Sequence, residues 1–256
     1  MTPNPSNEWH FDTTHVGRRV LVFDELDSTN SLAATFTDPN ADGLVVLARN
    51  QTAGRGRFGR VWRSRPGGSL LMSVVLRPPD EIRRPSVLTA MAAVAVGDAV
   101  RKLCGVQAKI KWPNDLLIRG KKVCGILIEQ GVSTVVGIGL NLNQTADEFA
   151  DAGLPDATSL LIVSGKETDL PTAAVAVIAS LGGEYCRLLA GERVAVEADW
   201  KWRTGLLGHQ VEIELTNGTF VQGRMREMGF DGLDVELPGG QNWRLTPEAV
   251  AHVRAV

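Results

Sequence analysis

Apolar residues along this chain fall into short continuous runs, longer runs at helical spacing and, towards residue 256, short alternating runs. Residues 19–23 (R-V-L-V-F) have the length and β-branched content of a strand. They lead into D-E-L-D-S-T-N, where Asp27 or Ser28 can cap a helix running through Leu32, Ala33, Ala34 and Phe36. A turn at 38–43 (D-P-N-A-D-G) separates this helix from a second apolar run at 44–48. Residues 69–77 (S-L-L-M-S-V-V-L-R) are apolar at nearly every position, the pattern of a strand buried on both faces. Pro85 opens a segment rich in Ala, Val, Leu and Met that reaches 103, with Arg101 and Lys102 at its end, where the helix dipole favours cations. It reads as a core helix.

Further on, apolar runs at 116–118 and 123–128 flank Arg119-Gly120-Lys121, which fits a hairpin connection. Residues 133–143 form a β-branched strand carrying Gly137 and Gly139, and 172–189 and 194–202 have helical spacing with a break at Gly191. After Gly205 the runs V-E-I-E-L, F-V-Q-G-R-M and L-D-V-E-L alternate between turn-forming residues, which predicts a small antiparallel β unit. Two domains are therefore expected, 1–205 and 206–256, with 1–16 poorly ordered because Pro3, Pro5 and polar side chains dominate there.

Composition and charge narrow the function classes. With 256 residues, 44% hydrophobic and 22% charged, the chain can bury a sizeable core. A net charge of -2 and a pI of about 6.1 leave no basic field for a polyanion, so nucleic acid is not an expected partner. Apolar runs are broken well short of the ~20 residues of a membrane span, and no secretory pattern opens the chain, so a cytoplasmic protein without a membrane partner is expected. Cys104, Cys124 and Cys186 have no C-x-x-C spacing and read as small buried hydrophobes. His10, His15, His209 and His252 are scattered, so no metal site made by side chains is expected.

Candidate chemistry concentrates in 51–62 (Q-T-A-G-R-G-R-F-G-R-V-W), with three glycines and three arginines in twelve residues. Guanidinium forks match carboxylate or phosphate oxygens two at a time, and glycines permit close approach, so the segment reads as an anion-gripping loop. A solvated basic loop has the same composition, but Trp62 gives this one something to cover. No G-x-x-x-x-G-K-[ST] occurs. In the second informative stretch, 108–129, Lys111 precedes the W-P-N-D turn and Lys122 begins the second strand, and Asp115 can orient a lysine or a substrate hydroxyl; both lysines also fit solvated strand ends. Ser28, Thr29 and Asn30 are helix caps or the polar lining of a pocket, and Asn141 and Asn143 cap a turn or bind a ligand.

Taken together and in order, D-S-T-N, G-R-G-R-F-G-R-x-W, K-W-P-N-D-L with K-x-x-G-I-L-I-E, and the Gly-rich strand before Asn141 resemble the biotin protein ligases, across about 20–165. The resemblance implies an α+β fold. It comprises a mixed β-sheet flanked by helices, of the class II synthetase-like biotin/lipoate ligase type, plus a C-terminal SH3-like β-barrel. No DNA-binding domain precedes residue 16, so a monofunctional type is expected rather than a repressor. The implied reaction activates biotin with ATP and Mg²⁺ as biotinyl-5′-AMP. It then transfers the biotinyl group to a lysine of the biotin carrier domain of an acyl-CoA carboxylase. A homodimer is compatible with the family. The alternatives are a lipoate-protein ligase, or a biotin-binding regulator without ligase activity.

By this resemblance the biotin site comprises Ser28, Thr29, Asn30, Gln51, Gly54, Arg55, Gly56, Arg57, Lys122, Gly125 and Gly137. The polar groups would hold the ureido head, and Gly125 and Gly137 would let its rings lie against backbone. The ATP and adenylate site comprises Arg55, Arg57, Arg60, Trp62, Lys111, Asn114, Asp115, Lys122 and Asn141, with Lys122, Arg57 and Lys111 catalytic. Cations are needed there because two anions must meet. Any base in the transfer step would be Asp115 or Glu129.

Overall fold

In a computed structural model, which describes residues 3–256, the apolar runs assemble into two sheets. In chain order the elements are β1 (Asn7–His10), β2 (Arg19–Leu26), α1 (Thr29–Ala33), β3 (Val45–Gln51), β4 (Ser69–Leu76), α2 (Pro85–Cys104) and β5 (Lys109–Lys111). Then come β6 (Asp115–Ile118), β7 (Lys121–Gln130), β8 (Thr134–Asn141), α3 (Ala146–Asp151), α4 (Leu160–Ser164), α5 (Leu170–Leu189) and α6 (Arg193–Thr204). The chain finishes with β9 (Gln210–Leu215), β10 (Phe220–Gly229), β11 (Gly232–Glu236), β12 (Asn242–Leu245) and β13 (Val250–Ala255).

The first eight strands make one sheet in the order β1-β2-β3-β4-β8-β7-β6-β5. β2 and β3 are parallel and the other neighbours antiparallel, so the sheet is mixed. β4 lies at its centre and is buried at every position, as its nearly continuous apolar run requires. α2 packs between this sheet and the helices α5 and α6, and twelve of its twenty residues are buried. α5 is long and apolar enough to cross a membrane by composition, yet half of that window is buried in the protein. Cys124 lies in the core, where burial pushes its thiol well above the usual range.

Two expectations are corrected. The segment 1–16 is not a poorly ordered arm throughout: Asn7–His10 pairs antiparallel with β2, satisfying backbone groups that would otherwise line an open edge, while residues 1–2 lie outside the described residues. Trp9 and Phe11 anchor it, their ring centroids 6.3 Å apart, and both pack on the core. The helix after Ser28 stops at Ala33, short of Phe36, because Thr35 Oγ1 takes the Leu32 carbonyl at 2.7 Å and Asp38 starts a separate 3₁₀ turn.

The last five strands form an antiparallel sheet, β12-β11-β10-β9-β13, around buried Val211, Ile213, Met225, Leu233, Val235 and Val253. Several contacts fasten it to the helices. Arg84 pairs with Asp231, Arg193 Nη2 lies 3.0 Å from Asp231 Oδ2, and Ser86 Oγ donates to the Phe230 carbonyl at 3.1 Å. Trp200 of α6 bridges the two units, its ring 5.4 Å from Trp112 and 5.7 Å from Phe230.

Candidate active site

On the sheet face opposite α2, β7 and β8 bring Gly125 opposite Gly139 and Leu127 opposite Gly137. These glycines make a floor that side chains from elsewhere occupy. A Cβ on Gly137 would stand 2.2 Å from Asn30 Oδ1, one on Gly139 2.6 Å from Trp62 Cε2, and one on Gly125 3.0 Å from Trp62 Cζ3. Gly125 and Gly137 line the cavity beside Trp62 and Asn30, whose side chains approach their bare Cα positions.

Above this floor is a cavity of about 680 Å³, within the range of small-molecule sites. Its polar end is built from α1 and β3. Ser28 caps α1, accepting from Ser31 N at 3.4 Å, and Gln51 Oε1 accepts from Thr29 N at 2.7 Å and Thr29 Oγ1 at 3.0 Å. Ser73 Oγ of β4 donates to Asn30 Oδ1 at 2.5 Å and lies 2.7 Å from Thr29 Oγ1. Asn30 Nδ2 and Arg55 Nη2 both donate to Glu129 Oε2, at 2.7 and 3.0 Å. Capping and pocket lining are therefore both true of this segment.

The other end is cationic. Residues 52–61 fold as a narrow hairpin, with Trp62 N donating to Gly54 O at 2.9 Å and Gly56 N to Arg60 O at 2.7 Å. A Cβ on Gly54 would meet Trp62 O at 2.6 Å, so only glycine fits there; Gly54 shapes the loop and lies outside the cavity lining. Arg57 points inward, with Nη1 buried and without a hydrogen-bond partner. Burial pushes its guanidinium below the ordinary arginine range, with Asp115 opposing that shift. Lys122 Nζ lies 2.7 Å from Asp115 Oδ1 and 5.7 Å from the Trp62 ring centroid. A bulge places Lys122 there: Leu116 pairs with Cys124 but Leu117 with Lys122, so Val123 is an extra residue and Lys122 shares the cavity face with Gly125. Its backbone is held by Asp156 O and Thr158 N, at 2.7 and 2.8 Å.

Lys111, Arg60 and Arg63 also line the cavity, so that with Arg55, Arg57 and Lys122 six cations line it against the Asp115 and Asp156 carboxylates. Asn114 and Asn141 line it too, but their amides serve the protein. Asn114 Nδ2 donates to Ile126 O at 2.7 Å, and Asn141 Nδ2 to Thr158 O at 3.0 Å. Asn143 is similarly engaged with Thr168 and is not in the lining. Among the described residues no group of three or more His, Cys, Asp or Glu could hold a metal.

A model of the biotin/lipoate A/B protein ligase family matches residues 22–143. The bifunctional ligase/repressor BirA of Bacillus spizizenii is 35% identical over 215 residues, 81% of this chain and 66% of that protein; the chain thus spans just under two thirds of its length. The biotin--[acetyl-CoA-carboxylase] ligase of Mycobacterium tuberculosis is 34% identical over 247 residues, covering 93% of this chain and 90% of its relative. The chain belongs to the biotin/lipoate protein ligase family. The biotin protein ligase from Aquifex aeolicus, solved in complex with biotin and ATP, superposes with a TM-score of 0.80 over 96% of this chain and 100% of its own. At 24% identity that likeness speaks for the fold: a mixed sheet with helices, followed by an antiparallel β unit.

Among the residues at or behind the cavity, Ser73 and His252 escape the sequence motifs of this ligase-family chain. Ser73 is one of two hydroxyls in an otherwise apolar strand, and that interruption was its signal. His252 reaches the cavity from β13, in the second sheet, and nothing in its local sequence marks it.

Proposed function

We propose that this chain is an ATP-dependent biotin protein ligase acting on the carrier domain of an acyl-CoA carboxylase. The observation that carries this reading is the division of one cavity into a neutral hydrogen-bonding end and a cationic end. A ureido head presents both donors and a carbonyl acceptor, which suits Ser28, Thr29, Asn30 and Gln51 with Ser73 behind them. An apolar ring would pack against Trp62. Biotin's carboxylate would then point towards Arg57 and Lys122.

In the first step that carboxylate oxygen attacks the α-phosphorus of ATP, and pyrophosphate leaves with the electron pair. Both reactants are anions, so their approach is repulsive unless fixed cations surround the junction. Arg57, with its unpartnered Nη1, and Lys122 are poised for this, and Lys111 and Arg60 suit the outer phosphates. Mg²⁺ is best taken as arriving on the nucleotide, its ligands chiefly phosphate oxygens, because Asp115 is already paired with Lys122. In the second step the carrier lysine amine attacks the mixed anhydride and AMP leaves. Residues 52–61 cover the junction and would exclude water from this hydrolysable intermediate.

The test uses the purified chain with ATP, Mg²⁺ and a carrier domain, given biotin or lipoate, and reads the carrier mass. Addition of one biotinyl group to one lysine, without lipoyl addition, is expected. Equal lipoylation would make the protein a lipoate-type ligase, and biotin binding without transfer would make it a binding regulator.

A further inference from the structure

The transfer step needs a proton acceptor, because the attacking amine becomes positively charged as its bond to the biotinyl carbonyl forms. Of the carboxylates near the site, Asp115 and Glu129 are engaged, and Asp156, which also lines the cavity, is exposed to solvent. Asp115 is paired with Lys122, and Glu129 accepts from Asn30 and Arg55 at the polar end. His252 is not engaged in this way. It lines the cavity at the cationic end, and its Nδ1 is buried without a hydrogen-bond partner.

Its placement is built into the backbone. In β13, Val250 pairs with Leu215 and His252 with Glu214, so Ala251 is an extra residue, a bulge. Val250 and Val253 both face the interior of the C-terminal sheet although they are three residues apart. His252 is thereby turned out of that interior and across to the first sheet. β13 is also an edge strand of its sheet, which leaves this face free to meet the cavity.

We propose that His252 accepts the proton of the carrier lysine during biotinyl transfer, a role that rests on the ligase reading above. The lysine nitrogen bonds to the carbonyl carbon of biotinyl-AMP, and the bond from that carbon to the phosphate oxygen breaks with its electron pair going to AMP. One N–H proton passes to the unprotonated imidazole nitrogen, and the imidazolium returns it to water once the products have left. The surroundings suit the task. Burial, then Lys111 of β5 and Arg60 of the loop, lower the His252 pKa from its ordinary value, with Glu214 of β9 opposing them and Arg57 adding to them. The imidazole therefore stays neutral at physiological pH. The same cations disfavour an incoming ammonium and so select the neutral amine that can attack.

Two rates separate the steps: biotin-dependent ATP–pyrophosphate exchange, and single-turnover transfer from preformed biotinyl-AMP to a carrier domain. In His252→Gln and His252→Ala, transfer is expected to fall by ~10² or more, the usual contribution of a positioned base, and at least about tenfold further than exchange falls. The wild type's advantage should shrink as pH falls through the lowered His252 pKa, which lies below the ordinary histidine value, because a protonated imidazole accepts nothing. Added imidazole should restore part of the transfer in His252→Ala. The wild-type transfer profile should carry this same titration, which keeps the test independent of variant folding. Transfer within about threefold of wild type, equal losses in exchange and transfer, or a wild-type profile without that titration would overturn the role. Wild-type protein that fails in exchange with biotin would instead overturn the ligase reading itself.

Discussion

The indole of Trp62 occupies the volume that any side chain at Gly139 would fill: a Cβ there would stand 2.6 Å from Trp62 Cε2. The anion-gripping loop is therefore docked by its last aromatic residue onto a bare patch of strand. Gly139→Ala should expel the ring and unseat the loop while leaving the sheet intact, since the loop is the softer partner. Calorimetry with a non-hydrolysable adenylate is expected to show affinity lowered at least about tenfold, or ~1.4 kcal/mol. An unchanged affinity would mean that the docked ring does not matter to the loop.

Gly137→Ala acts at the other end of the cavity. Its Cβ would come within 2.2 Å of Asn30 Oδ1, displacing the amide that links Ser73 to Glu129. On the proposed reading this end holds the head group, so KM for biotin should rise by about an order of magnitude with kcat little changed. Steady-state kinetics across biotin concentrations distinguishes this from a general loss of fold, which would lower kcat at every concentration.

Lys122→Ala removes a fixed cation from the junction of two anions. Exchange of pyrophosphate into ATP should slow by ~10² to 10³, as when one preorganised donor is lost. The unfolding temperature should stay near the wild type's, because the lysine backbone remains tied to Asp156 and Thr158. A near-normal exchange rate would return Lys122 to the class of solvated strand ends.

Arg57 bears a buried Nη1 without a hydrogen-bond partner, an arrangement that costs stability unless an anion pairs with it. Arg57→Met should therefore melt at or above the wild-type temperature without ligand. It should lose most of the upward shift that biotin with ATP gives the wild type. A variant that melts lower on its own yet keeps the full ligand shift would contradict this account.

Asp231 ties the second sheet to the helices. The Arg84 hydrogen bond first, and the Arg193 charge after desolvation, hold its carboxylate below the ordinary aspartate value of 3.8. A depressed carboxylate pKa means the contribution is complete above the unfolded value of ~3.9 and is lost as pH falls through the folded one. The stability difference between wild type and Asp231→Asn should thus be constant from neutral pH to about 5 and vanish on further acidification. Denaturation midpoints across that range test it, and a difference that grows on acidification would reverse the sign.

The strands, the long helices and the loop were legible because their signals are local: unbroken apolar runs, helical spacing, and arginines among glycines. What stayed hidden was set by partners distant in sequence. Residues 7–10 look featureless alone and become a strand because β2 offers an edge. Simple alternation would put Lys122 on the face of buried Cys124, and only the extra residue Val123 moves it to the cavity face. Asn141 ends a strand as read, yet its amide proves to be spent on Thr158. His252 lies in a different sheet from every motif, so no spacing along the chain could reveal its company.

The bulge at Ala251 has a meaning for descent as well as for geometry. Counting from inward-facing Val250 in a regular strand, position 252 would point into the interior of the second sheet, and a histidine there would disturb its core. One inserted codon reverses that parity and hands the outward position to whatever residue follows. An appended β unit can therefore acquire a side chain in a neighbour's reaction chamber in a single mutational step, with its own hydrophobic interior left unaltered.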